Sequence, residues 1–183
     1  SYNNDGTVES KQTFQGKNDD SSWARGQAWA IYGYTACFRE TNDSIFLNFA
    51  KDIANMIMDR VKTEDAIPYW DYDAPVTKET PRDVSAASVT ASAMIELSTM
   101  VPDGQKYLDY AEKILKSLSS DAYLAKVGDN QGFILMHSVG SLPNGSEIDT
   151  PLNYADYYYL EALKRFMELK KLKVENGELR VIQ

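Results

Sequence analysis

Residues 15–29 read QGKNDDSSWARGQAW, and the fold can be followed outward from this stretch. Its first half is polar, and Ser21 is a suitable cap for a helix that begins near Ser22. Arg25 and Trp29 lie four residues apart, so they share one face of the first two turns of that helix. The stretch therefore predicts a helix whose beginning carries a cation beside a large flat ring.

Arg25 and Trp29 admit two interpretations. A guanidinium beside an indole can bind an anionic sugar, because arginine forks onto a carboxylate and the ring stacks on the apolar face of a pyranose. The helix N-terminus adds partial positive charge for the same anion. Alternatively, both Trp23 and Trp29 are core anchors, and Arg25 pairs with an acidic residue. Gly26 and Gly33 predict a close approach of neighbouring backbones.

Beyond this helix, the hydrophobic spacing predicts four more helices separated by two long loops. We predict helices over residues 22–40, 44–61, 84–100, 102–118 and 152–171, with long loops over 62–82 and 127–149. No alternating strand pattern exceeds a few residues, so the fold class is mostly α. Helix pairs joined by long loops on one side predict an α/α toroid, with odd-numbered helices in its inner ring and its site among the long loops.

The composition excludes several classes of protein. The chain has 183 residues, a net charge of −8 and a sequence pI near 4.7, which argues against binding to nucleic acid. No window approaches the run of about 18 apolar residues that a membrane helix needs. One cysteine, Cys37, and one histidine, His137, argue against a disulfide framework and against a Cys/His metal site, so we expect neither metal nor cofactor. Cys37 is predicted to be a small core residue.

Three further groups could take part in chemistry. Asp71 and Asp73 lie in a loop rich in aromatic residues, where they are either paired glycosidase carboxylates or a capped turn. His137 lies in a glycine-rich loop and either contacts a ligand or has a structural role. Asp83 precedes a helix, and we expect it to cap that helix.

Residues 23–29, WARGQAW, closely resemble the signature of the unsaturated glucuronyl hydrolases, glycoside hydrolase family 88. Residues 15–16, 81–87 and 156–163 also resemble segments of this family, and they occur in the family's order. The related unsaturated rhamnogalacturonyl hydrolases are similar, but they tend to have Asn-Gly where Gln27 and Ala28 stand here. They are therefore the second choice.

The resemblance implies an α/α barrel of six helical hairpins, about half of which this chain would contain. It also implies an activity in polysaccharide degradation: removal of a 4,5-unsaturated uronic acid from the non-reducing end of oligosaccharides that polysaccharide lyases produce, for example from glycosaminoglycans. The reaction is a hydration of the C4=C5 double bond. The positions that match substrate-binding residues of the family are Gln15, Arg25, Trp29, Ser138 and Ser141.

Two details of the family pattern bear on the site. Members that use the two serines to contact a sulfated neighbouring sugar have a lysine where Pro143 stands here, which weakens the expectation of sulfate binding. The family's two key aspartates precede the Gln15 segment, so the resemblance implies that the catalytic acid lies before Ser1. We then expect one partner to be an unsaturated oligosaccharide and another to be the N-terminal half of the enzyme.

These expectations define the predicted organisation. Residues 1–183 would be the C-terminal part of one α/α-barrel catalytic domain, with an opening loop or strand at 1–20, helical hairpins at 21–172 and a tail at 173–183. The family resemblance implies a bacterial enzyme of the periplasm or cytoplasm. From another functional class, the alternative is a non-catalytic helical carbohydrate-binding module.

Overall fold

The computed structural model describes residues 1–175, and these residues form five α-helices and one β-hairpin. The helices are α1 (Ala24–Thr41), α2 (Ser44–Arg60), α3 (Val84–Ser98), α4 (Gln105–Leu118) and α5 (Asn153–Glu175). The strands β1 (Ser138–Ser141) and β2 (Ser146–Thr150) pair antiparallel. The prediction of a mostly helical chain is therefore confirmed. Within residues 1–175, no helix combines the length and the apolar character needed to cross a membrane.

Helix α3 lies at the centre of the structure. Thirteen of its 15 residues are buried, and it contacts α1, α4 and α5. Its many alanine and serine side chains explain this position, because small side chains let three helices approach its axis. Helix α2 packs on α1, and α4 packs on α3. This arrangement agrees with the prediction that the odd-numbered helices form the inner layer.

One predicted helix cap is confirmed and another is wrong. The Asp83 carboxylate accepts hydrogen bonds from the first backbone N–H groups of α3, as expected of a cap. Ser21 caps no helix, because its hydroxyl donates instead to Asp71 Oδ2 at 2.7 Å. Helix α1 begins later than predicted, at Ala24, whose N–H donates to the carbonyl of Trp70.

The structure begins with a non-helical segment, and its last helix extends further than predicted. The opening segment, residues 1–20, contains an isolated bridge between Tyr2 and Val8 and no helix. Helix α5 begins at Asn153 and extends to Glu175, so the first residues of the predicted tail, 173–183, are helical. Residues 176–183 lie outside the described part of the chain.

The region predicted as a loop, residues 127–149, contains most of a β-hairpin. All four residues of β1 are buried, whereas β2 is almost entirely exposed. Neither strand therefore alternates between buried and exposed residues, and such alternation is what produces the apolar/polar pattern of a half-buried strand in a sequence.

The prediction that Cys37 is a core residue is wrong, because its side chain is exposed. The buried residues of α1 include Ala24, Ala28, Ile31 and Thr35, which follow one face of the helix at intervals of three to four residues. Cys37 lies on another face.

Asp65 joins the loop before α3 to the chain that follows α4. Its carboxylate accepts hydrogen bonds from the Tyr123 hydroxyl and from the N–H of Ile67, and Arg82 lies 3.5 Å away. Burial acts to raise the pKa of Asp65, but these two hydrogen bonds and the Arg82 charge outweigh it and lower the pKa below its usual value. The ionised carboxylate therefore stabilises the fold.

Replacing Tyr123 with phenylalanine is expected to lower the free energy of unfolding by about 1 kcal/mol at neutral pH. Because the folded-state pKa of Asp65 is lowered, the stabilisation is complete above the unfolded-state pKa, roughly 4, and is lost as the pH falls through the folded-state value. Chemical denaturation at several pH values should show the difference from wild type shrinking below roughly pH 4.

Tyr110→Phe is the matched control. The Tyr110 hydroxyl is buried and has no hydrogen-bond partner among the described residues, so its removal should leave stability unchanged or slightly raised. Equal losses in the two variants would contradict the assigned role of the Tyr123 hydroxyl.

Candidate functional site

Four separate segments meet where α1 begins. They are the opening segment around Gln15, the first turn of α1, the start of α3 and strand β1. The N–H of Val84 donates to the carbonyl of His137 at 3.2 Å, which joins the start of α3 directly to the residue before β1. Most of the predicted site residues lie in this region.

The Arg25 guanidinium is the hub of this region and is only 3% exposed. Its Nη1 lies 3.1 Å from Asp83 Oδ2 and also donates to the carbonyl of Val139. Its Nη2 donates to the carbonyl of Gly140. Arg25 therefore links α1 to α3 and to β1. Of the two interpretations of Arg25 in the sequence analysis, pairing with an acidic residue is the one that matches its contacts here.

Asp83 is fully buried and serves two purposes. Its Oδ1 accepts from the N–H of Ser85 and of Ala86, and its Oδ2 faces Arg25. Burial raises the pKa of the Asp83 carboxyl, while the Arg25 charge and the Ser85 hydroxyl act in the opposite direction. The capping carboxylate is thus also the counter-charge of Arg25, which the sequence did not indicate.

Gln15 reaches the same place from the opening segment. Its Nε2 donates to the carbonyl of Gly140 at 2.8 Å, the same oxygen that accepts from Arg25. Asp71, which is 1% exposed, holds this segment by accepting from the N–H of Lys17 and from the Ser21 hydroxyl. Gln15 and Arg25 therefore meet at one carbonyl group of β1.

Asp71 and Asp73 form a capped turn. Asp71 Oδ1 accepts from the N–H of Asp73 at 2.9 Å. Asp73 in turn accepts from the N–H of Ser22 and from Arg60, and these contacts lower the pKa of its carboxyl below the usual value. Both carboxylates are engaged in holding loops, which favours the structural interpretation over paired glycosidase acids.

Trp29 lies one turn after Arg25 and forms an aromatic wall with residues of α5. Its ring centroid is 5.2 Å from that of Tyr158 and 6.2 Å from that of Tyr154. The Arg25 guanidinium lies 5.4 Å from the Tyr154 centroid and 4.6 Å from that of Trp23, so the wall continues along the cation. The sequence did not single out Tyr154, since only its position along α5 connects it with Trp29.

Ser138 and Ser141 lie at the two ends of β1. Ser138 is fully buried, and its hydroxyl oxygen has no hydrogen-bond partner among the described residues. Ser141 is 7% exposed, and its hydroxyl accepts from the Asn144 side chain at 2.7 Å. The two residues between them carry the carbonyl groups that bind Arg25. These carbonyl groups had no signal in the sequence, because every residue has one.

The arrangement combines a flat aromatic surface, a side-chain amide and a buried cation. This set of groups suits a polar ligand with an apolar face, such as a sugar ring. Within residues 1–175, no group of three or more His, Cys, Asp or Glu side chains could hold a metal ion.

Comparisons with known sequences and solved structures point to one family. No family model matches the chain. It is 47% identical over 165 residues to an unsaturated glucuronyl hydrolase of Formosa agariphila, a match that covers 90% of this chain and 41% of that protein. The chain thus spans about two fifths of the length of this curated relative.

Solved structures show the same relationship. The crystal structure of an unsaturated glucuronyl hydrolase specific for heparin is 57% identical and superimposes with a TM-score of 0.91, covering 93% of this chain and 47% of that one. A mutant of the Streptococcus agalactiae enzyme, complexed with dGlcA-GalNAc6S, is 33% identical with a TM-score of 0.79, over 90% of this chain and 45% of that one. These neighbours have the α/α toroid fold, which confirms the predicted fold class. The chain therefore belongs to the unsaturated glucuronyl hydrolases, glycoside hydrolase family 88.

Proposed function

We propose that this chain is the substrate-binding part of an enzyme that removes a 4,5-unsaturated uronic acid from the non-reducing end of lyase-generated oligosaccharides. The enzyme would hydrate the C4=C5 bond, and the resulting hemiketal would open and release the sugar. The observation that carries this proposal is that Gln15 and Arg25 share the Gly140 carbonyl of β1, while Trp29, one helical turn after Arg25, forms an aromatic wall with Tyr154 and Tyr158. The names of the relatives support the same activity.

In this proposal each site residue contacts a different part of the sugar or supplies a different interaction. The ring of Trp29, backed by Tyr154 and Tyr158, stacks on the apolar face of the unsaturated sugar. Gln15 offers its amide at the edge of the sugar, and Arg25 supplies positive charge from the base of the site, partly compensated by Asp83. Interactions of this buried charge are stronger than they would be in water, because the local dielectric is low.

Ser138 and Ser141 are proposed to contact the neighbouring sugar. Both lie on β1, next to the carbonyl groups that hold Arg25. The partnerless hydroxyl of Ser138 supports this role, because a buried polar group without a partner is costly. Since Ser138 is fully buried here, its contact with the sugar requires the residues that cover it to move.

We further propose that the catalytic acid is an aspartate outside this chain. The best-placed acids here are Asp71, Asp73 and Asp83, and each carboxylate holds backbone N–H groups in place. An acid that protonates a vinyl ether must reach the substrate and cycle its proton, which these structural contacts oppose.

The remaining hairpins of the barrel are the proposed partner. Apolar side chains are exposed on two helices, at Ile45 and Phe49 of α2 and at Tyr157, Leu160 and Met167 of α5. Exposed apolar clusters on a folded protein mark interaction surfaces. The heparin-specific neighbour, of which this chain covers 47%, has further chain available to cover such surfaces.

The test is turnover of an unsaturated disaccharide, followed as the loss of its conjugated chromophore. We expect turnover by a full-length protein that contains this chain and none by residues 1–183 alone. In the full-length protein, Trp29→Ala should raise KM about tenfold or more, because a stacking surface is lost, whereas Val127→Ala, at a fully exposed position, should not.

Three outcomes would contradict parts of this proposal. Turnover by residues 1–183 alone would place the acid within this chain. Saccharide binding by the full-length protein without any turnover would favour a non-catalytic binding module. An unchanged KM in Trp29→Ala would remove the tryptophan from the site.

A further inference from the structure

The base of the β-hairpin is held by a pair of side chains that none of the roles above uses. His137 Nδ1 and Asp149 Oδ1 are 2.6 Å apart, and both side chains are partly exposed. The His137 and Tyr123 rings also form a T-shaped pair, with the centroids 6.2 Å apart. His137 immediately precedes β1, and Asp149 lies within β2.

Both members of this pair have an unusual backbone conformation. The φ angle is +65° at His137 and +52° at Asp149, in the left-handed region that residues other than glycine seldom adopt. Such a conformation is costly and persists only where surrounding contacts hold it. The short His137–Asp149 contact joins the two strained residues directly.

Asp149 is also the extra residue of a β-bulge. Ser138 pairs with Thr150 and Val139 pairs with Ile148, so Asp149 has no partner on β1. A bulge bends its strand and redirects the groups beside it. The Asp149 side chain contacts His137, so this contact links the bulge to the residue that precedes β1.

The position of β1 matters because its carbonyl groups orient the proposed binding residues. The Val139 and Gly140 carbonyls accept from Arg25, and Gly140 also accepts from Gln15. At its start, β1 is fixed to α3 through the hydrogen bond from Val84 N–H to the His137 carbonyl. A shift at His137 would therefore displace the carbonyl groups to which Gln15 and Arg25 are bound.

We propose that His137 and Asp149 are positioning residues. Their contact fixes the bulge and the register of β1, and the carbonyl groups of β1 then hold Gln15 and Arg25 in their places. The catalytic consequence rests on the proposed function. The structural consequence, a β1 strand held by this pair, does not.

Three substitutions of Asp149 separate the hydrogen bond from the backbone strain. Asp149→Asn keeps an acceptor oxygen and tolerates the left-handed conformation. Asp149→Gly adopts this conformation freely but loses the acceptor. Asp149→Ala loses the acceptor and keeps the strain. If the His137–Asp149 contact positions β1, we expect the backbone amides of Val139 and Gly140 to exchange hydrogen faster in the Asp149→Gly and Asp149→Ala variants. In Asp149→Asn the exchange rates should stay near those of the wild type.

The kinetic readout uses a full-length protein that contains this chain, with an unsaturated disaccharide as substrate. We expect Asp149→Gly to raise KM several-fold with little change in kcat, because the substrate and the transition state lose the same binding interactions. Asp149→Asn should keep KM near the wild-type value. Wild-type exchange rates in Asp149→Gly, or equal effects of Gly and Asn, would overturn the proposal. If the wild-type protein shows no turnover, the proposed function fails, while the exchange rates still decide whether the pair holds β1.

Discussion

Asp83→Ala is expected to lower the free energy of unfolding by about 3–5 kcal/mol, which is the cost typical of leaving one member of a buried ion pair without its partner. Arg25 is 3% exposed, so its charge would remain buried with no carboxylate beside it. The substitution also removes the cap of α3, which adds about 1 kcal/mol. Chemical denaturation of the purified protein measures the loss.

Two further variants separate the ion pair from the cap. Asp83→Asn keeps an acceptor for the N–H groups of Ser85 and Ala86, so it should lose less stability than alanine. Adding Arg25→Met to Asp83→Asn removes both charges, and the double variant should be more stable than the sum of the single losses predicts. Strictly additive losses would show that the two side chains are not coupled.

Gly104→Ala is expected to destabilise the protein by about 3 kcal/mol, through overpacking at the junction between α3 and α4. A Cβ atom at this position would lie 1.9 Å from the carbonyl oxygen of Ser98 and 2.7 Å from its carbonyl carbon. Both are backbone atoms, so no side-chain rotation can relieve the clash. The φ and ψ angles of Gly104, −64° and −20°, suit alanine, and the expected loss is therefore purely steric.

Gly33→Ala is the control for this prediction. Gly33 lies within α1, and an added Cβ would meet no atom of the described residues within 4 Å. Among the described residues, no backbone of another element lies close to Gly33, so the prediction of a close approach at this glycine is wrong. Alanine should stabilise the helix here by about 0.5–1 kcal/mol. A loss at Gly33 as large as that at Gly104 would contradict the steric explanation.

The helices could be predicted because their signals are local. The apolar stripe of α2, the cap at Asp83 and the small residues of α3 each act within a few turns of chain. The β-hairpin could not be predicted in this way. Its strands are four and five residues long, and their pairing includes a bulge at Asp149 that leaves no trace in the local sequence.

The candidate site was predicted only in part. Arg25 and Trp29 were indicated by their helical spacing, whereas Gln15, Ser138 and Ser141 came from the family resemblance. The contacts that join them were not indicated, since they run through the backbone carbonyl groups of Val139 and Gly140. Their role as acceptors follows from where the strand lies.

The sequence by itself determined the helical elements, the family and the residue types available at the site, because periodicity, capping and motifs are properties of neighbouring residues. Only the tertiary structure decided which groups meet. It showed that Asp83, 58 residues away in the chain, is the counter-charge of Arg25. It also showed that Gln15 and Arg25 share the carbonyl of Gly140, which lies 125 residues from the first and 115 from the second. Such contacts depend on how α1, α3 and β1 pack together, and packing is a property of the whole fold.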